Sequence, residues 1–289
     1  MAEKVQTITE IRHHLAGMFA AGWPDAEARA MAGIIIEEFT GLSGARQVIS
    51  GDHVLRPDII LQVMEAAGRA QRGEPLQYIF GFSLFCGHRM EVSPAVLIPR
   101  PETEEMTSMI IAENKGFKGT LTDLCTGSGC IAISLSLEFP EASVNATDKS
   151  EDALVIARRN AETNNARVIF SATDILEPGP GTYPPCDIIV SNPPYVRESE
   201  REFMHRNVLD HEPHDALFVP DSDPLLFYRK IAEIARSRLR KDGRLYLEIN
   251  EALGRETAGL FTWPTFSNVD IINDIRGKNR FLRAERHEG

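Results

Sequence analysis

The sequence predicts an α/β protein: a largely parallel sheet covered on both faces, preceded by a small helical domain. Three observations carry that expectation. From Thr120 onward, short apolar runs of strand length alternate with stretches of helical periodicity. Before about residue 85 only helical periodicity is seen. A glycine-rich turn, Thr126-Gly127-Ser128-Gly129, stands where a strand gives way to a helix.

The elements follow in order. Thr7-Ile8-Thr9-Glu10 reads as a capping box, behind which Ile8, Ile11, Leu15 and Phe19 keep helical spacing. Pro24-Asp25 opens a second helix that runs to about Phe39, with Gly41 as its stop. Pro57-Asp58 opens a third, with Ile60, Leu61, Met64 and Ala67 on one face; Gly68 weakens its last turns and Gly73 ends it. Tyr78 to Phe82 and Leu84 to Val92 read as short extended segments of a hairpin joining two domains. In Leu97-Ile98-Pro99-Arg100-Pro101-Glu102-Thr103-Glu104-Glu105 the prolines force an extended path, and the acids suit the first turn of a helix.

Beyond Thr120 the predicted strands are Leu121–Thr126, Ser143–Thr147, Val168–Ala172, Cys186–Ser191, Arg244–Ile249, Asn268–Ile272 and Arg280–Glu285. Helices are predicted over Ile131–Glu138, Glu151–Asn164 and Pro224–Leu239. The domain boundaries that result are 1–85 for the helical domain, 86–98 for a hairpin linker and 99–289 for the sheet domain.

Composition limits the function classes. A chain of 289 residues with 43% hydrophobic and 25% charged residues suits a globular protein of one large or two ordinary domains. Its net charge of −11 argues against direct binding to duplex DNA, which needs a basic footprint. Cys86, Cys125, Cys130 and Cys186 are scattered without a CxxC pair, which reads as free thiols in a reducing compartment, not a metal set. His205, His211 and His214, with Glu212 and Asp215, are too loosely spaced to argue for a metal and read as a loop that shapes a substrate mouth. The N-terminal Met-Ala-Glu-Lys-Val-Gln lacks the apolar core of a signal peptide, and no apolar run nears the length of a membrane span, so a cytoplasmic protein is expected.

Two constellations carry chemistry. The first is Asp123-Leu124-Cys125-Thr126-Gly127-Ser128-Gly129-Cys130, whose glycines permit a tight turn and close approach of a ligand. Asp148 ends the next predicted strand, where an acid accepts hydrogen bonds from both hydroxyls of a ribose; the alternative is an N-cap of the helix near Glu151. Asp174 ends the strand after that and either faces an adenine amino group or caps a turn. Ala132 occupies the third-glycine position of G-x-G-x-x-G and is tolerated there, so the loop does not exclude NAD.

The second constellation, Asn192-Pro193-Pro194-Tyr195, follows the strand Cys186–Ser191 and has no evident role in hydride transfer. The nitrogen of a carboxamide or nucleobase amine shares its lone pair with a π system and is a poor nucleophile. If the Asn192 side-chain oxygen and the Pro193 carbonyl each accept one N–H, that nitrogen is held with its lone pair aimed at an electrophilic methyl group. Tyr195 then packs on the planar group, and positioning and fixed dipoles supply the rate.

At these residues the chain resembles the S-adenosylmethionine-dependent amino-group methyltransferases. Gly73-Glu74-Pro75-Leu76-Gln77-Tyr78-Ile79-Phe80-Gly81, Leu97 to Glu104, Asp123 to Gly129 and Asn192 to Tyr195 together resemble the HemK/PrmC group, the protein-(glutamine-N5) methyltransferases of peptide-chain release factors. Glu212-Pro213 and Ala216-Leu217 match the same group. The resemblance implies a seven-stranded, Rossmann-like methyltransferase sheet with a terminal antiparallel hairpin near residues 266–286. It implies S-adenosylmethionine as methyl donor, S-adenosylhomocysteine as product, and the glutamine of a Gly-Gly-Gln motif in class I release factors as acceptor. It places Asp123, Cys125, Thr126, Gly127, Ser128, Gly129, Asp148, Asp174, Ile175, Asn192, Arg100 and Thr103 around the cofactor, and it gives Asn192, Pro193, Pro194 and Tyr195 the catalytic role. The helical domain is expected to dock the protein substrate.

Two residues depart from the pattern. Cys125 stands where the group has its first loop glycine, and is comfortable there only at negative φ. Ile175 stands where an aromatic residue is frequent. The rival activities are a DNA adenine-N6 or cytosine-N4 methyltransferase, disfavoured by the acidic charge, and a non-catalytic cofactor-binding factor, disfavoured by the intact Asn192 and Tyr195.

Overall fold

In the computed structural model the described residues are 7–179 and 181–287; residues 1–6, on which the reading of a missing signal peptide rests, lie outside them. The chain divides into two compact units, one running to Gly81 and including Arg206–His211, the other holding Phe82–His205 and residues from Glu212 onward.

The first unit is helical. The capping box before α1 (Ile8–Phe19) is closed: the Thr7 hydroxyl accepts from the Glu10 N–H at 3.2 Å, and the Glu10 carboxylate accepts from the Thr7 N–H at 2.9 Å. The four spaced residues Ile8, Ile11, Leu15 and Phe19 are fully buried. α2 (Asp25–Thr40) stops at Gly41, whose φ of 70° only glycine adopts freely. α3 (Gly44–Ile49) escaped the periodicity reading because six residues are too few to display one. The Gln47 amide secures it by donating to the carbonyls of Gly33 and Leu42, at 2.9 and 2.8 Å. α4 (Pro57–Gln71) starts with proline at its first turn, as expected.

One expectation fails here. Tyr78 to Gly81 is not extended: Leu76–Phe80 forms α5, opened by Pro75 and closed by Gly81 at φ 76°. Aromatic β preference is context-dependent, and the flanking proline and glycine decide the local structure.

In the second unit the linker hairpin lies earlier than 86–98. It pairs β1 (Phe82–Phe85) with β2 (His88–Glu91) across Cys86 and Gly87, at φ 49° and 76°. α6 (Pro101–Glu113) follows, then β3 (Thr120–Leu124), α7 (Cys130–Glu138), β4 (Ser143–Asp148), α8 (Glu151–Asn164), β5 (Val168–Ala172) and β6 (Cys186–Ser191). The loop after β6 is more regular than its sequence suggests. It contains β7 (Val196–Arg197), the 3-10 helix Glu198–Phe203, α9 (Arg206–His211), which belongs to the first unit, the 3-10 turn His214–Ala216 and β8 (Phe218–Val219). α10 (Leu226–Arg238) leads directly into β9 (Leu239–Glu248). β9 is irregular at Asp242-Gly243, where Asp242 lies at φ 62°. α11 (Gly254–Ala258), β10 (Phe266–Asn273) and β11 (Asn279–Arg286) complete the chain.

The seven strands are ordered β10-β11-β9-β6-β3-β4-β5, with β11 antiparallel to its neighbours and β3, β4, β5, β6 and β9 parallel to one another. This is the seven-stranded sheet with an antiparallel terminal hairpin that the resemblance implies. β3 pairs with β4 on one side and β6 on the other, so the strand order reverses there and opens a crevice at the carboxyl ends. Leu121, Ile188, Val190 and Tyr246 pack on one sheet face, and Leu124, Ile189, Leu245 and Leu247 on the other, all at most 1% exposed. At the β10–β11 tip, Asp274 accepts from the N–H groups of Arg276 and Lys278, at 2.9 and 3.0 Å. Arg276 pairs with Glu102 at 3.8 Å and Lys278 with Glu251 at 2.8 Å. Among the described residues no helix is long and apolar enough to cross a membrane.

Candidate active site

The crevice holds a cavity of about 360 Å³, within the range of small-molecule sites. Its wall is built from the ends of successive strands. β3 delivers Cys125 and Gly127, β4 delivers Asp148 and Lys149, the turn after β5 delivers Asp174 and Ile175, and β6 delivers Asn192 and Pro194.

The loop between β3 and α7 must reverse sharply, and Cys125, Gly127 and Gly129 do this at φ 60°, 55° and 81°. The condition for a comfortable Cys125, a negative φ, is therefore not met. The turn requires the left-handed region, and a residue with a Cβ is held there at a cost of about 1–2 kcal/mol. A Cβ on Gly127 would meet no atom within 4 Å, so the space above the loop is open to a ligand. One on Gly129 would approach Ala157 Cβ and Ile133 Cδ1 to 3.1 Å, so that glycine serves the packing of α7 against α8.

Asp148 is not the N-cap of α8. Ser150 is, its hydroxyl accepting from the Ala153 N–H at 3.1 Å. The Asp148 carboxylate instead accepts from the Gly127 N–H at 2.8 Å and the Ser150 N–H at 2.9 Å. These bonds tie the glycine loop to the next strand and leave the remaining lone pairs facing the cavity. Burial pushes its carboxyl above the usual range, opposed by the two N–H donors. Asp174 caps a turn, accepting from the Leu176 N–H at 2.8 Å, and also lines the cavity.

Asp123 is placed differently. It is fully buried beneath the loop, where it accepts the Thr126 hydroxyl at 2.5 Å, and it does not line the cavity. Thr126, Ser128 and Gly129 likewise lie within the loop and its packing, not on the cavity wall. Burial raises the Asp123 carboxyl to about 7, with the Thr126 bond opposing and the nearby Asp148 reinforcing. The folded chain thus binds this proton more tightly than the unfolded chain, whose value is near 3.8. The resulting stabilisation is complete below that lower value and is lost as pH rises through about 7. Between pH 5 and 8 the wild type is therefore expected to lose stability relative to Asp123→Asn, by on the order of a few kcal/mol, in urea unfolding followed across pH.

The second constellation is organised from behind. Asn192 Nδ2 donates to Thr103 Oγ1 at 3.0 Å, and Thr103 Oγ1 donates to Glu248 Oε2 at 2.6 Å. Tyr195 Oη donates to the other oxygen, Glu248 Oε1, at 2.8 Å, while Asn250 Nδ2 donates to the Tyr195 carbonyl at 3.1 Å. Ser191 Oγ donates to the Leu124 carbonyl at 2.6 Å and so ties the tetrapeptide's strand to the glycine loop. Of the tetrapeptide, Asn192 and Pro194 line the cavity, and Pro193 and Tyr195 adjoin them in the same loop. Arg100 does not reach the cavity: it pairs with Glu212 at 2.6 Å. The buried Glu212 also accepts from the Ile98 N–H at 3.2 Å, so it pins the extended segment whose Val96 and Leu97 line the cavity.

Lys149 and Phe227 carried no signal in the sequence, whereas Asp215 was read there as part of a loop that shapes a substrate mouth. Lys149 and Asp215 pair at 2.7 Å across 66 residues of chain, and Phe227 is the first aromatic of α10. The cavity's charges decide one question the glycine loop left open. Asp148, Asp152, Asp174 and Asp215 face it with Lys149 as the one lysine or arginine on its wall. Such a site repels a pyrophosphate and suits a cationic ligand bearing hydroxyls.

A family model described as "Methyltransferase small domain" matches residues 102–214, and one described as "PrmC N-terminal domain" matches residues 16–81. A Bacteroides thetaiotaomicron protein named release factor glutamine methyltransferase is 44% identical over 264 residues, covering 91% of this chain and 95% of its own. A Flavobacterium psychrophilum protein of the same name is 42% identical, covering 96% of this chain and 98% of its own. A methyltransferase structure from Pyrococcus furiosus shares the fold at 17% identity with a TM-score of 0.51, covering 81% of this chain and all of that one.

Proposed function

The chain belongs to the family of release factor glutamine methyltransferases, and on that premise we propose that it methylates the side-chain amide nitrogen (N5) of a release-factor glutamine. The acceptor is the glutamine of the Gly-Gly-Gln motif in class I release factors. The methyl donor is S-adenosylmethionine, and S-adenosylhomocysteine is the product. The observation that carries the reading is Asn192. It stands on the wall of the cavity with its amide nitrogen already committed to Thr103, so its oxygen is the end left to accept a hydrogen bond.

The residues present fit the donor. Asp148 is placed to accept ribose hydroxyls, and Asp174 to accept an adenine amino group. Ile175, Phe227 and Leu97 supply apolar surface for the base, and the backbone of Cys125 to Gly127 borders the methionine portion. When bound, S-adenosylmethionine supplies an electrophilic methyl group on a cationic sulfur, which the acidic lining favours.

The chain's own work is then orientation. Asn192 Oδ1 and the Pro193 carbonyl accept the two amide protons of the glutamine. Its nitrogen is thereby fixed with the lone pair aimed along the cavity. Pro193 is a useful acceptor because its carbonyl carries no competing N–H on the same residue and its ring fixes φ. Tyr195, held at its hydroxyl and its carbonyl, keeps the loop rigid and shields the planar amide from water. No strong base is required, because the surplus proton leaves after methyl transfer. Rate comes from positioning and fixed dipoles. The helical unit is assigned the docking of the release factor.

The test is incubation with methyl-labelled cofactor and either a class I release factor or duplex DNA. Label in the Gly-Gly-Gln peptide is the expected result, and label only in DNA overturns the reading. Label in neither, with cofactor still bound, assigns the chain a non-catalytic role.

A further inference from the structure

We infer that Glu248 is a positioning residue: through the Thr103 hydroxyl it dictates which end of the Asn192 carboxamide faces the substrate. The inference rests on the reading that Asn192 accepts an amide proton of the glutamine. It goes beyond that reading because it explains why the asparagine points the right way.

An asparagine side chain has a donor end and an acceptor end of nearly the same shape, so packing alone does not choose between them. Proton counting does. Each oxygen of Glu248 meets one hydroxyl, Thr103 at 2.6 Å and Tyr195 at 2.8 Å, and as a carboxylate, which only accepts, it takes a proton from both. Thr103 has one hydroxyl proton. With that proton given to Glu248, its oxygen can only accept from Asn192, and of the two ends of the carboxamide only Nδ2 can donate. The observed 3.0 Å bond from Asn192 Nδ2 to Thr103 is that outcome, and it turns Oδ1 away from Thr103. If Thr103 kept its proton, the carboxamide would be equally satisfied reversed. The enzyme would then present an NH2 group to an NH2 substrate.

The surroundings suit a fixed carboxylate. Glu248 is 1% exposed and ends β9, beside the end of β6 that carries Asn192. The Tyr228 hydroxyl donates to its backbone carbonyl at 3.3 Å and accepts from the Asn250 N–H at 3.2 Å, so the strand end cannot swing. Burial pushes the Glu248 carboxyl above the usual range, reinforced by Glu102 of α6 and opposed by the Thr103 and Tyr195 hydroxyl donors and by Arg280 of β11, whose side chain is 15% exposed. Thr103 lies 145 residues from Glu248 in sequence and 89 from Asn192. α6 and β9 thus meet at this relay, and neither element belongs to the tetrapeptide it orients.

The resemblance had placed Thr103 at the cofactor, and the experiment separates that role from this one. Full-length wild type, Thr103→Ser, Thr103→Val and Glu248→Gln are compared for kcat, KM for a release factor and affinity for S-adenosylhomocysteine. With 15N-asparagine labelling, the Asn192 side-chain protons are followed by hydrogen exchange on the protein alone. Thr103→Val keeps the shape and removes the hydroxyl. It is expected to lower kcat by about tenfold to a hundredfold, as loss of an orienting partner does, with KM and product affinity nearly unchanged. Thr103→Ser is expected to restore kcat. Glu248→Gln replaces one accepting oxygen with a donor, so it frees either Thr103 or Tyr195 and is expected to lower kcat similarly. The Asn192 protons are expected to be protected in wild type and Thr103→Ser and to lose protection in Thr103→Val.

Any of three results overturns the inference: wild-type kcat and protection in Thr103→Val, equal impairment of Thr103→Ser and Thr103→Val, or a loss confined to cofactor affinity. If the wild type methylates no release factor, the reading of function fails separately, and the exchange measurement still decides the orientation of Asn192.

Discussion

Replacing Asn192 with alanine is expected to reduce methyl transfer to the release factor by about 10²–10³-fold or more, the scale of losing one fixed dipole at a reacting group. Cofactor affinity is expected to stay within a small factor of wild type. The substitution removes the one carboxamide on the cavity wall and leaves the strand ends that bear Asp148, Asp174 and Ile175 untouched. It also leaves Thr103 bonded to Glu248, so the buried carboxylate keeps its partner. Single-turnover transfer and equilibrium binding of S-adenosylhomocysteine separate the two effects. Normal turnover by the variant would refute the role given to Asn192. Asn192→Asp sharpens the result. It retains an oxygen toward the substrate but puts a second oxygen where Nδ2 met Thr103, and it adds a negative charge near the Glu248 carboxylate. It is expected to be nearly as impaired as alanine although an acceptor is present, because the group is neither neutral nor held.

How far the sequence foretold this site depends on how local each feature is. Asn192 to Tyr195 and the glycine loop were legible because each is contiguous and sits where a strand ends. Asp148 was legible as a cavity residue, but not its bonds to Gly127 and Ser150, which required knowing that β3 and β4 lie side by side. Glu248 carried no signal at all. It reads as the polar end of an apolar strand, and its importance comes from partners on α6 and on the loop after β6. Glu212 was read with three nearby histidines as part of a loop shaping a substrate mouth, but not as the partner of Arg100 and the Ile98 N–H, which lie more than a hundred residues away in sequence. The same limit explains the errors of local structure. α5 and α3 are too short to show a period, and Cys125 takes a left-handed conformation because the loop's closure demands it, against the residue's own preference.

Asp148→Ala is expected to weaken cofactor binding by about a hundredfold, the scale of two hydrogen bonds to a charged acceptor at about 1.5 kcal/mol each. Turnover at saturating cofactor should fall much less, since the carboxylate does not reach the methyl acceptor in the mechanism proposed. Loss of affinity alone does not prove contact with the ribose, because Asp148 also holds the Gly127 and Ser150 N–H groups and its removal loosens the loop. A thermodynamic cycle resolves this. S-adenosylhomocysteine and an analogue lacking the ribose hydroxyls are each bound to wild type and to Asp148→Ala. If the carboxylate receives those hydroxyls, deleting either partner removes the same interaction, and the analogue binds the variant nearly as well as the natural product does. If Asp148 acts only by shaping the loop, the two losses add, and the proposed ribose contact is wrong.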